Sequence, residues 1–299
     1  MNDTYIVTVY VVIDDLLRAM HYQDDGRAEL SAAEILTVAV VAAKYFQNHQ
    51  ERTLCLLIRL GYIRALSVSR FNRRLHALRE WLWQVTWRVG DLLAGGVVFI
   101  VDTMPIPACK HVRAKRCRKA QGVAYEGYCA AKHERYFGWQ LHLVCDAQGV
   151  PVAFEVLPAA WDELVPIQHL LAELPEGSQV VADKGYVSQK DELLAYVAGR
   201  VRLIPKYRRN MRGNSREDAR LIREHRSMIE TVNSQLEKMG LQRLHARTTS
   251  GVALKVLASL IALALTNVLQ QSRFMKCLCW CRGYTKTNLS PEYYIALHT

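Results

Sequence analysis

Two aspartates end two short, water-averse runs. Asp102 follows Val97-Val98-Phe99-Ile100-Val101, and Asp183 follows Gln179-Val180-Val181-Ala182. Each run is too short for a helix and rich in β-branched residues, so each reads as a buried strand. Pro105 and Pro107 are expected to stop the first strand, since neither can continue a central one. A single Asp before a turn is common, and for one strand a turn residue and a ligand group are equally good readings. Two such strands tilt the balance. If they are neighbours in one sheet, both carboxylates emerge at the rim where α/β sheets place ligands. Like charges brought that close repel and raise each other's pKa, and a hard divalent cation removes the penalty. Mg²⁺ binds through a few carboxylates and substrate phosphates. A pair of such ions can activate water on one side of a phosphodiester and stabilise the leaving oxygen on the other.

The charge of the chain suits such a substrate. Across 299 residues the formal net charge is +11, which points to a polyanion and first to nucleic acid. The charge is clustered. Residues 113–119 hold five Lys or Arg (Arg113, Lys115, Arg116, Arg118, Lys119) and no acid, and residues 206–216 hold five more, with Lys206, Arg208, Arg209 and Arg212 foremost. Each cluster alone could be a solvated loop; two acid-free clusters favour phosphate contacts.

The elements that must hold these groups fall into two parts. Residues 1–95 read as an all-α region. Ser31 and Glu34 form a capping box before ILTVAVVAAKYF. Gly61 breaks the next pattern, after which Phe71, Leu75 and Leu78 recur at helical spacing beside Arg70, Arg73 and Arg74. Two helices about a glycine turn, the second arginine-rich, suggest a helix-turn-helix-like DNA reader; an ordinary bundle with a basic face is nearly as good a reading. From residue 96 the period changes. RYFGWQLHLVCD and VPVAFEVLP read as strands joined by DAQG, with Asp146 a turn residue. Asp162 reads as the N-cap of the helix ELVPIQHLLAEL. After Asp183 come a helix (SQKDELLAYVAG), a strand (VRLIP), the basic loop and a long helix from residue 216 to Gly240.

Other classes fit poorly. The eight cysteines show no metal or disulfide spacing, consistent with reduced thiols in a cytoplasmic compartment. The acidic N-terminus with its short apolar run does not read as a signal peptide. Residues 251–269 are almost long enough to span a bilayer, but Lys255, Thr266 and Asn267 interrupt them. A buried helix is the better reading, with no membrane partner.

VDTMPIPACK, RCRK, YEGYCAAKHERYFGWQLHL, ADKGY and HRSMIETVNSQLEKM together resemble the DDE transposases of bacterial insertion sequences, most closely the nine-eight-two insertion-sequence family. The resemblance implies an RNase H-like mixed sheet with flanking helices over residues 96–269, behind an all-α DNA-binding region at 1–95. Residues 270–299 form a tail of unknown role. It implies that Asp102, Asp183 and Glu230 are the catalytic, metal-holding carboxylates, binding two Mg²⁺ or Mn²⁺ ions. Lys184, Arg223, Arg226 and Lys238 join the DNA-contacting set. Arg223 stands where relatives carry Tyr, and Glu237, with Lys238 beside it, stands where they carry Lys. Helix geometry agrees with Glu230. Ile229, Val232, Leu236 and Met239 form an apolar stripe, Glu230 lies one step off it, and Arg226 lies four residues earlier on the same face. Glu237 is about 10.5 Å further along at about 1.5 Å per residue.

The expected function is a transposase that binds the terminal inverted repeats of its element, cuts the double-stranded DNA and joins it to target DNA. It would act in the cytoplasm at the nucleoid, as a homodimer or larger assembly. Two other readings remain: an RNase H-like nuclease of recombination or repair, which cuts without joining, and an inactive repressor derived from a transposase.

Overall fold

A computed structural model describes residues 1–129, 132–162, 164–187, 201–207, 210–211 and 213–270. The sequence-predicted helix at 188–199, Arg208, Arg209, Arg212 and the tail beyond Gln270 lie outside the described residues. The chain forms two compact units, one of residues 1–93 with the segment from Ser250 on, the other of residues 94–249.

Among the described residues the regular elements of the first unit are helices: α1 (Asp3–Ala19), α2 (Ala32–Phe46), α3 (Gln50–Arg59), α4 (Val68–Ala77), α5 (Arg79–Leu93) and the last described helix, here α8 (Thr249–Gln270). The predicted capping box is present: Ser31 N donates to Glu34 Oε2 at 2.7 Å, and Glu34 N donates to Ser31 Oγ at 3.1 Å. α8 is long and apolar enough to cross a membrane, but 89% of its apolar window is buried inside the protein. Several of its polar groups are used internally. Asn48 Nδ2 donates to Ser259 Oγ at 3.0 Å, and Ser259 and Thr266 hydroxyls donate to carbonyls one turn back. The sequence alone suggests that this helix belongs with the strands; it clusters instead with the N-terminal helices. Its apolar residues run almost all round, and such a helix is stable only where neighbours cover every face.

Among the described residues the second unit is built on one six-stranded sheet: β1 (Val98–Lys110), β2 (Glu126–Cys129), β3 (Glu134–Asp146), β4 (Pro151–Pro158), β5 (Gln179–Ala182) and β6 (Arg202–Pro205). The strand order is β2–β3–β1–β5–β6, with β4 also paired to β3. β3 runs antiparallel to β1, whereas β5 runs parallel to β1 and β6 parallel to β5. With α6 (Ile167–Ala172) and α7 (Arg216–Lys238) flanking it, this mixed sheet is RNase H-like.

Residue alternation sorts the two faces. Phe99, Val101, Val180 and Ala182 share a core with Ile167, Leu170 and Leu171 of α6, while Val181 and Ile204 pack with Ile222 of α7.

β1 departs from expectation. It does not stop at the prolines: Pro105 pairs with Gln140 and Pro107 with Gly138 of β3. The cause is that β5 pairs only with residues 98–101. Past Asp102 no described strand pairs with the other edge of β1, and a proline fits there with its missing N–H turned outward. A register shift follows between Pro107 and Cys109. Gly138 makes this approach possible, because a Cβ there would sit 2.4 Å from Ile106 O.

Asp146 is a turn residue as predicted, and fully buried. Its carboxylate accepts from Gln148 N, Val150 N and Gly95 N at 2.9–3.0 Å. Asp162 is not the N-cap of α6. Its carboxylate accepts from Leu164 N at 2.9 Å and closes a turn, whereas α6 starts only at Ile167, with Pro166 at its cap. The first N–H groups of a helix have no partner within it, so a proline, which lacks one, suits that start.

Candidate active site

The register of β1 and β5 sets the first two carboxylates. Val98 pairs with Gln179, and the ladder ends with Val101 opposite Ala182. One step further brings Asp102 beside Asp183, at the roughly 4.8 Å spacing of neighbouring strands. Asp102 is two residues beyond Ile100, and Asp183 two beyond Val181. Alternation therefore turns both side chains to the face that carries α7.

α7 supplies the third. Ser215 caps it, accepting from Asp218 N at 3.1 Å, and Arg202 of β6 pairs with Asp218 at 2.6 Å. The predicted stripe is the buried one: Ile229, Val232, Leu236 and Met239 are all inside. Glu230 sits beside it with its side chain 70% exposed. A small open cleft is lined by Asp102, Asp183, Glu230, Lys206 and Arg226 over a floor of Ile100, Val181 and Ile222.

Glu224, Glu230 and Glu237 of α7 have different partners. Glu224 pairs with Arg220 at 2.7 Å, a hydrogen bond that holds its carboxyl below the usual range. Glu237 accepts from Lys132 Nζ at 2.9 Å, and Lys132 also donates to Gln242. Glu230 faces Arg226 at 3.6 Å.

Asp102, Asp183 and Glu230 offer hard oxygen donors, the chemistry that suits a divalent cation. Among the described residues no three His, Cys, Asp or Glu side chains already gather as a ready metal cluster. Glu230 instead lies 3.6 Å from Arg226. The two form an exposed i,i+4 pair worth a few tenths of a kcal/mol, so turning Glu230 away from Arg226 costs little.

The predicted DNA-contact residues divide. Lys206 and Arg226 line the cleft. Lys184, Arg223 and Lys238 are exposed, as are Arg113, Lys115, Arg116 and Arg118. Lys119 is used internally, donating to Ala108 O at 3.1 Å. In the helical unit Arg73 is exposed, but Arg70 pairs with Glu29, and Arg74 pairs with Asp24 and donates to Tyr22 OH at 3.0 Å. Asp24 in turn accepts from Ala32 N at the start of α2 at 3.0 Å. Arg74 is thus part of the scaffold. The link from α3 to α4 spans residues 60–67, longer than the roughly 3–4 residues of a common helix-turn-helix.

Sequence reasoning missed Asn233, whose Nδ2 donates to Asp102 Oδ2 at 2.9 Å. Its position three residues after Glu230, hence on the same helix face, was the available signal. It also missed Lys132.

No curated protein and no solved structure matches the chain. Residues 94–251, just over half of the chain, match the model of the transposase DDE domain, and the chain belongs to that family of metal-dependent, DNA-cleaving and DNA-transferring enzymes.

Proposed function

We propose that this transposase binds the terminal inverted repeats of an insertion sequence of the nine-eight-two type, cuts at their ends and joins the freed ends to target DNA. The observation that carries the reading is the cleft in which Asp102, Asp183 and Glu230 meet two cations, Lys206 and Arg226. The three carboxylates would hold two Mg²⁺ or Mn²⁺ ions, which when bound activate water and stabilise the leaving oxygen. Lys206 and Arg226 attract and orient the phosphodiester, and positioning of this kind is a large part of such catalysis. The exposed cationic turn at 111–118 adds sequence-independent phosphate contacts, and the helical unit, with Arg73 on α4, supplies sequence preference. Two element ends must be joined, so the active form is a homodimer or larger assembly on DNA, at the nucleoid in the cytoplasm.

The test is to incubate the protein with labelled element ends and Mg²⁺ or Mn²⁺, scoring cleavage and joining separately. Both products support the proposal. Cleavage without joining makes the protein a nuclease, and binding without either makes it a repressor.

A further inference from the structure

We infer that Asn233 is a positioning residue for the metal-binding carboxylates, acting through Asp102; this rests on the reading of Asp102 as a cation ligand. Asn233 Nδ2 donates to Asp102 Oδ2 at 2.9 Å across 131 positions of sequence. A carboxylate only accepts, so the amide must present its NH₂ there. Asn233 is half-buried, and Val232 and Leu236 near it in α7 are fully buried. Its backbone is therefore held against the sheet.

Two consequences follow. The hydrogen bond restricts the rotation of the Asp102 carboxylate about its terminal torsion, a torsion whose intrinsic preference is broad. It also ties β1, which carries Asp102, to the helix that carries Glu230 three residues earlier. The donor is neutral. A Lys or Arg in its place would pair with Asp102 and compete with a cation, whereas an amide orients the carboxylate and leaves its charge available. Partners of metal ligands act in this way at metal sites generally.

The experiment measures Mn²⁺ binding to the full chain by calorimetry, with thermal melting alongside, for wild type, Asp102→Asn and Asn233→Ala, Asn233→Leu and Asn233→Gln. Leu fills the side-chain volume without a donor, and Gln keeps the donor. The expected result is a loss of Mn²⁺ affinity of about tenfold or more in both Ala and Leu variants, with partial recovery in Gln and melting close to wild type. The Mn²⁺ concentration needed for half-maximal DNA cleavage should rise in parallel. If Asp102→Asn weakens Mn²⁺ binding while Asn233→Ala and Asn233→Leu bind within about twofold of wild type, against the tenfold expected of such partners, the inference is overturned. If Asp102→Asn also leaves binding unchanged, the assignment of Asp102 as a ligand fails first.

Discussion

Val101 and Ala182 are the last registered pair of two parallel strands, and each is followed by an aspartate. The pairing converts two distant sequence positions into neighbours on one rim. Asp102→Asn and Asp183→Asn are each expected to abolish DNA cleavage while leaving DNA retention and melting near wild type, since neither side chain belongs to the core. Cleavage at wild-type rate in either variant, with folding intact, would refute the assignment.

Glu230 and Glu237 lie on one helix with different partners. Glu230→Gln should eliminate cation-dependent cleavage and change stability by no more than a few tenths of a kcal/mol, the worth of its i,i+4 pair. Glu237→Gln should keep most of its activity, because its carboxylate serves Lys132. A dead Glu237 variant beside an active Glu230 variant reverses the assignment.

His142 is fully buried on β3, and neither ring nitrogen has a hydrogen-bond partner. Burial pulls its pKa down to about 4 from an ordinary 6.5. The unfolded chain therefore binds a proton that the native state refuses between about pH 6.5 and pH 4, and stability falls as pH falls through that window. The loss from about pH 7 to about pH 5 attributable to this group is about 2 kcal/mol. His142→Leu should remove that part of the acid sensitivity in urea melts at the two pH values. An unchanged pH dependence would show that other groups carry it.

Arg73 and Arg74 are adjacent but differ in surroundings. Arg74→Ala breaks the link to Asp24 and Tyr22 and should cost about 1–2 kcal/mol of stability. Arg73→Ala should leave stability unchanged and weaken binding to element-end DNA more than to random DNA. Equal weakening on both DNAs would make Arg73 a phosphate contact only.

The exposed cations Arg113, Lys115 and Arg116 should behave alike. Each neutralisation should weaken all DNA similarly and reduce the salt slope of binding by about one. A change confined to element ends would instead give this turn a role in base recognition.

Local patterns were sufficient for much of this molecule. The β-branched runs before Asp102 and Asp183 are strands, the stripe from Ile229 to Met239 is the buried face of a helix, and Ser31 with Glu34 caps α2. These signals depend on periods of about 2 and 3.6 residues and on neighbours within one turn, so a linear reading contains them. The partners did not appear there. Prolines 105 and 107 continue β1 because past Asp102 no described strand pairs with its other edge, which depends on where β5 ends. Arg74 is structural because Asp24 faces it, α8 joins helices far earlier in the chain, and Asn233 meets Asp102 only after the helix has docked on the sheet. Such contacts are selected by which apolar faces bury against each other, and that choice is made by the packed chain as a whole.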